Sequence, residues 1–329
     1  MAIIENMLKS FEMIIIVTCI YGVSAIFAKD LVDHNVNEQC WKKDIKRDRN
    51  VKMIKRIEST LVEYPFCFTI AGDTSATVMP PSLAQDQIFC ALLSAMEQLN
   101  PRPVFFVSLG DFSGPGTLIE HHRYLNIVNR SSLPDLAVIG NHDLDDKTGW
   151  DNFHNIYGTE NYSFEYGNTS FIVINSHCNN GLGQPAGPRK ADLVFLESSL
   201  KKTHQPLKIV FMHMPPNFNE HYEPQSDWGF KNYEEDFLKI IKQYGVKLVC
   251  CAHVIAYDYY VYEGVAFVTS GGGGWGVDTR YRNRPPLRGS FYHFVQVLID
   301  ENGCIKGQIY RAYRNLQIKP DLAYSFELQ

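Results

Sequence analysis

A carboxamide, an imidazole and a carboxylate follow one another at Asn141-His142-Asp143, directly after an apolar run, Leu136-Ala137-Val138-Ile139, that stops at Gly140. The carboxamide oxygen of Asn141 can ligate a cation. The imidazole of His142 can give or take a proton near neutral pH, and the carboxylate of Asp143 can hold that ring in place. The same layout recurs along the chain. Asp73 follows Phe66-Cys67-Phe68-Thr69-Ile70-Ala71-Gly72, and Asp111 follows Val104 to Gly110. His213 follows Lys208-Ile209-Val210-Phe211-Met212, and His253 follows Leu248-Val249-Cys250-Cys251-Ala252. Taken singly, the tetrapeptide at Gly140 also reads as an Asx-rich turn capping a helix that starts near Lys147. Asp73 and Asp111 also read as helix N-caps, and His213 and His253 as core histidines. Five potential ligands, each at the end of a strand candidate, point instead to one cleft at the carboxyl edge of a sheet.

The elements that must carry these residues alternate. Strands at 66–71, 104–109 and 135–139 are separated by helices predicted over 83–99 and 118–128. A hairpin across Gly167-Asn168 joins 162–166 to 170–175. Helices over 191–202 and 233–244 then precede strands at 208–212 and 246–251. Strands at 259–262, 265–270, 291–299 and 304–313 complete the sheet. Near-continuous apolar strands separated by helical spacing indicate parallel pairing with crossover helices, hence an α/β (α+β) fold.

With these blocks in place the chain resembles the calcineurin-like metallophosphoesterase superfamily. The matching blocks are Gly72-Asp73, Gly110-Asp111, Gly140-Asn141-His142-Asp143, Phe211-Met212-His213 and Ala252-His253, and the resemblance spans about 66–311. It implies a four-layer β-sandwich of mixed sheets flanked by helices, with metal ions at the carboxyl ends of the strands. It further implies Asp111 as the ligand shared between two metals, with Asn141, His213 and His253 completing the second metal's shell and Asp73 serving the first. Asn141 and His142 would contact substrate, His142 would protonate the leaving oxygen, and Asp143 would orient His142. One or two divalent or trivalent ions are expected. Nitrogen and oxygen donors suit Zn, Mn or Fe without choosing among them.

Two positions depart from the family pattern. Asp-x-His at the first block is Asp73-Thr74-Ser75 here, and Gly-His-x-His at the last is Ala252-His253-Val254-Ile255. Both missing imidazoles belong to the first metal, so Ser75 and Ile255 mark a degenerate site. The purple acid phosphatase branch places a Tyr three residues after the second-block Asp, where this chain has Gly114. His121, His122 and His177 are histidines that could replace a missing ligand from loops, and each also reads as a surface residue or one standing behind the ligands. Gly272, within Gly271 to Gly274, reads either as letting the backbone approach substrate or as part of a tight turn, and Arg280, with Arg282 nearby, either as a phosphate clamp or as a solvated loop residue.

The chain has 329 residues, 45% hydrophobic and 20% charged, enough for a sizeable core. Its net charge of −5 carries no nucleic-acid footprint. The run from Met13 to Ala28 is apolar or weakly polar and ends in small residues. It reads as a signal peptide or membrane anchor over 1–28, placing the body outside the cytoplasm, secreted, periplasmic or tethered. A polar lead-in is expected over 29–60, the phosphoesterase domain over 61–315 and a C-terminal tail over 316–329. There are eight cysteines and no C-x-x-C. One or two disulfides are compatible with that count, and Cys250-Cys251 read as small apolar strand residues. Asn129, Asn161 and Asn168 lie in N-x-S/T sequons. The expectation is a metal-dependent hydrolase of a small or lipid-type phosphomonoester or phosphodiester, with a mononuclear or weakened centre. The alternative is a catalytically impaired relative that binds a metal or a phosphate ligand.

Overall fold

Strand β1 (Phe66–Ala71) is buried at every position, and its two faces explain why. Phe66, Phe68 and Ile70 point into a core shared between two sheets, whereas the intervening side chains face the helices. The computed structural model describes residues 48–74, 83–177, 186–217, 229–279 and 283–329. Ser75, Arg280 and Arg282 lie outside the described residues, as does the apolar run 13–28.

After β1 come α2 (Leu83–Glu97), β2 (Phe106–Ser108), α3 (Leu118–Val128), β3 (Asp135–Ala137) and α4 (Gly149–Tyr157), with α1 (Arg49–Glu58) preceding β1. The second half holds β4 (Tyr162–Tyr166), β5 (Thr169–Val173), α5 (Lys190–Lys202), β6 (Leu207–Phe211), α6 (Glu234–Gln243) and β7 (Leu248–Cys251). It ends with β8 (Tyr257–Tyr262), β9 (Val265–Ser270), β10 (Arg288–Gly289), β11 (His293–Ile299), β12 (Ile305–Ala312) and β13 (Ile318–Leu328). One sheet runs β13-β12-β11-β1-β2-β3, and the other β10-β8-β9-β7-β6-β5-β4. β1, β2 and β3 are parallel in the first sheet, and β5, β6, β7 and β9 in the second.

The sheets meet through aromatic side chains. Phe68 of β1 stands edge-on to Phe171 of β5 and Phe211 of β6, with ring centroids 5.5 and 5.6 Å away, and stacks on Phe105 at 5.1 Å. Burying each ring contributes about 1.5–3 kcal/mol. On the outer face of the second sheet, Leu193, Leu196 and Leu200 of α5 and Phe237 and Ile241 of α6 pack on Ile172, Val210 and Val249. On the outer face of the first, Phe89 of α2 meets Phe106 of β2 and Tyr124 of α3. The order helix, sheet, sheet, helix is the four-layer sandwich that the sequence implied.

Two segments differ from the sequence reading. The stretch taken as an irregular lead-in, 29–60, contains α1. Its apolar positions are few among lysines and arginines, but Ile57 is wholly buried in the shared core with Met53 and Ile54 packed against it, and polar groups dock the start of the helix. Arg49 pairs with Asp135 at 2.5 Å, and the Asn50 amide both accepts from the Ala137 N–H (2.9 Å) and donates to the Ala137 carbonyl (3.2 Å). The stretch taken as a C-terminal tail, 316–329, contains β13, antiparallel to β12 at the sheet edge.

Cys67, Cys90, Cys250, Cys251 and Cys304 are free thiols, and Cys250 and Cys251 are wholly buried in β7. The sequon residue Asn161 is occupied internally: its amide donates to Asp192 and accepts from the Asn175 N–H, each at 2.7 Å. Among the described residues no helix is long and apolar enough to cross a membrane.

Candidate metal centre

The loops that leave β1, β2, β3, β6 and β7 reach the same rim, because these strands run parallel within their sheets and the sheets are stacked. Asp73, Asp111 and His253 each take a left-handed backbone conformation there (φ 55, 56 and 66°). For side-chain-bearing residues this costs about 1–2 kcal/mol each and persists only where surrounding structure enforces it. The enforcing contacts are visible. Asp73 N–H donates to the Gly110 carbonyl at 3.0 Å, and His253 N–H donates to Asp73 Oδ2 at 3.0 Å.

His213 is wholly buried, and its ring is held from both sides. Nδ1–H donates to the Leu109 carbonyl at 2.7 Å, which turns Nε2 toward Asn141 Oδ1 at 3.0 Å and Asp111 Oδ2 at 3.2 Å. The His253 ring stands edge-on to it, centroids 5.1 Å apart. Ligand atoms of Asp111, His213 and His253 all lie within 4.8 Å of one another. One carboxylate, one carboxamide and two imidazoles form a donor set suited to a borderline or hard cation, and an Nδ1–H anchored on a carbonyl is the usual orienting contact of a ligating imidazole. The residues fit a metal ion.

Close approach requires glycine at two places. A Cβ on Gly140 would lie 2.2 Å from Asp111 Oδ1, and one on Gly110 would lie 2.5 Å from His213 Nδ1.

Electrostatics follow from this crowding. Burial opposes charge on His213, but Asp111 at 3.2 Å overrides it and lifts the imidazole to about 9. Burial likewise opposes ionisation of Asp111, yet the His213 imidazolium and its hydrogen bond hold the carboxyl well below the carboxylate range. Asp73 moves the other way: burial first, then the charge of Asp111, raises it well above its ordinary value. His253 is depressed to about 3 by burial and by the His213 charge. One imidazolium and one carboxylate thus share the pocket with groups held neutral.

Asp143 does not orient His142. Its Oδ1 accepts from the N–H groups of Phe112 (3.1 Å) and Ser113 (2.9 Å) and from Ser113 Oγ (2.7 Å), while Oδ2 accepts from Asp111 N–H (3.0 Å) and Gly140 N–H (2.8 Å). It clamps the loop after β2 to the loop after β3. Nδ1 of His142 instead meets Asp145 Oδ2 at 2.5 Å, and the His142 N–H donates to Asp111 Oδ1 at 2.8 Å. Asp145 was not foreseen. The 3₁₀ turn His142–Leu144 is what brings residue i+3 beside the ring.

Other expected residues fall as follows. Gly272 is buried, with its carbonyl accepting from His293 N–H at 2.9 Å; its missing side chain makes room for His293, whose Nδ1 would lie 2.3 Å from a Cβ. It serves packing rather than an opening to substrate. Ile255 is half-buried and brings an apolar side chain to the rim. His121 lies in α3 among Phe112 and Tyr157, away from the cluster. His177 is buried close enough to His213 and Asp111 to feel their charges, and is depressed to about 4, chiefly by burial.

A sequence model of the calcineurin-like phosphoesterase family matches residues 68–257, more than half of the chain and a span that contains all five ligand candidates. Among curated relatives, the serine/threonine-protein phosphatase CPPED1 of Homo sapiens is 28% identical over 178 residues, covering 49% of this chain and 56% of that protein. A 3',5'-cyclic-nucleotide phosphodiesterase of Nostoc is 25% identical over 174 residues, covering 52% and 63%. The chain thus spans little more than half the length of the relatives it matches. Among solved structures, a purple acid phosphatase from yellow lupin superposes with a TM-score of 0.63 at 14% identity, covering 81% of this chain and 54% of that one. A dimetal phosphatase from Danio rerio gives 0.54 at 13%, covering 80% and 98%. These two share the fold. The chain belongs to the calcineurin-like phosphoesterase family.

Proposed function

We propose that this protein is a metal-dependent phosphoesterase that hydrolyses a small phosphomonoester or phosphodiester, with one strong cation position and a second, weakened one. The observation that carries this reading is the posture of His213, whose Nδ1–H is tied to Leu109 while Nε2 faces the oxygens of Asn141 and Asp111. Asp111, Asn141, His213 and His253 would hold the strong ion. A bound divalent cation supplies Lewis acidity, polarising a phosphoryl oxygen and lowering the pKa of water. His142, partly exposed and fixed through Nδ1 by Asp145, presents Nε2 as the donor of a proton to the leaving oxygen. Asp73 is the carboxylate left to the weaker position, where Ile255 offers no ligand.

The names of the relatives, a protein phosphatase and a cyclic-nucleotide phosphodiesterase, are compatible with either ester class. The apolar run 13–28 supports an extracytoplasmic location, secreted or tethered.

Elemental analysis of the purified chain, paired with turnover of p-nitrophenyl phosphate and bis-p-nitrophenyl phosphate, tests the proposal. Bound metal with turnover that disappears in Asn141→Ala and His213→Ala supports it. Turnover that survives both substitutions overturns it. Bound metal without turnover favours a binding protein, the reading to which the apolar Ile255 also lends weight.

A further inference from the structure

Trp275 stands beside the proton donor of the proposed reaction. Its indole centroid is 4.6 Å from that of the His142 imidazole, with the planes tilted by 49°. Main-chain contacts pin the residue to the site: Trp275 N–H donates to the Asp73 carbonyl at 2.8 Å, Gly273 N–H donates to the Gly72 carbonyl at 3.0 Å, and the Gln85 side chain donates to the Trp275 carbonyl. The backbone that carries the indole is therefore bonded to the same residue that carries a candidate ligand. Neither ring is fully buried. His142 keeps 38% of its side chain exposed, and Trp275 is half-buried.

Ile255 extends this apolar character. Its Cδ1 comes within 3.9 Å of where a Cβ on Gly276 would stand, and its carbonyl accepts from Asp278 N–H at 2.9 Å, so the side chain lies against the segment carrying Trp275. It too is half-buried. Among the described residues, the rim beside His142 thus carries an indole and an aliphatic side chain. A group that accepts a proton from His142 departs within reach of the indole.

We propose that Trp275, with Ile255 beside it, forms a shelf for the leaving group, and that the preferred substrate is a phosphoester carrying a planar aromatic group there. This rests on the phosphoesterase reading and narrows it to a substrate class. An aromatic ring gains from offset stacking on indole what an alkyl or polyol leaving group cannot. The ring can be joined directly to the ester oxygen, as in an aryl phosphate, or stand one sugar away, as in a nucleotide.

The test compares inhibitors that differ only in the ring. With metal-loaded full-length chain, phenylphosphonate and methylphosphonate are titrated as competitive inhibitors, alongside adenosine 5'-monophosphate and ribose 5-phosphate. The shelf predicts that at least one aromatic member binds about tenfold tighter than its ring-free partner. The pair that shows the preference separates aryl from nucleoside leaving groups. In Trp275→Leu that ratio falls to near one, and in Trp275→Phe most of it returns. Quenching of tryptophan fluorescence by the aromatic inhibitor, lost in Trp275→Phe, reports the contact in a variant that keeps an aromatic ring in place. Equal affinities within both pairs in the wild type, or a ratio that persists in Trp275→Leu, overturn the shelf. Failure of all four compounds to bind the metal-loaded wild type overturns the phosphoesterase reading on which it stands.

Discussion

Replacing Asp143 by asparagine separates two roles for this carboxylate, and the outcome can be worked from the five hydrogen bonds it accepts. An asparagine keeps the shape but has one acceptor oxygen. If that oxygen takes the Oδ1 position, it retains Phe112 N–H, Ser113 N–H and Ser113 Oγ, and the new NH₂ faces the N–H groups of Asp111 and Gly140. Two buried donors are then left unsatisfied, each costing about 1–3 kcal/mol. Removing the charge returns part of this, because burial and Asp111 already raise the Asp143 carboxyl above its ordinary value. The orphaned donors win, and the net loss is about 2–4 kcal/mol. At about 2 °C per kcal/mol for a domain of this size, Tm falls by about 4–8 °C. Asp145→Asn is the counterpart. That side chain is 53% exposed, so stability should change by less than about 0.5 kcal/mol. Loss of the carboxylate charge beside the His142 ring, with the amide oxygen still able to accept from Nδ1–H, should instead lower kcat about tenfold. Urea unfolding and turnover of p-nitrophenyl phosphate on both variants decide the matter. Wild-type stability in Asp143→Asn together with wild-type kcat in Asp145→Asn would refute the division of labour drawn here.

The metal content of Asp73→Asn should stay near one equivalent per chain while Asn141→Ala falls toward zero; equal losses in elemental analysis would mean that Asp73 is a principal ligand. Gly140→Ala should destabilise by about 3 kcal/mol or more, since its Cβ would stand 2.2 Å from Asp111 Oδ1, and an unchanged thermal melt would be incompatible with that packing. His121 has no hydrogen-bond partner on either ring nitrogen among the described residues, and burial depresses it to about 3. Its neutral form favours the fold, so stability is complete above the unfolded value of about 6.5 and declines as pH falls through the range down to about 3. Between pH 8 and pH 5 this residue alone should remove about 2 kcal/mol, a component that His121→Leu should lack in urea titrations at the two pH values.

Much of the centre was legible because ligand side chains sit at the ends of apolar strands, where residue type and chain order suffice to group them. Asp73, Asp111, Asn141, His213 and His253 are all of that kind. The partner of His142 was not, because Asp143 and Asp145 are equally plausible by type, and only the 3₁₀ turn decides which carboxylate meets the ring. Trp275 gave no signal beyond its neighbouring glycines, since stacking on an imidazole far away in the chain leaves no local pattern. Helix α1 is hard to read because a short apolar stripe, Met53, Ile54 and Ile57, stands among charged residues, and β13 because Pro320 and Asp321 interrupt it ahead of the alternating Leu322, Tyr324, Phe326 and Leu328. The left-handed backbone at Asp73, Asp111 and His253 is enforced by tertiary contacts, which glycine statistics cannot anticipate.

The docking of Asn50 has a consequence for association between molecules. β3 ends its sheet, and a free sheet margin invites pairing with any exposed strand. By answering both the N–H and the carbonyl of Ala137, the carboxamide of Asn50 imitates one residue of a neighbouring strand, and Arg49 adds a charge where a second chain would have to approach. Helix α1 therefore acts as a stopper on that margin, and a chain shortened past Glu58 would gain a surface on which copies can zip together.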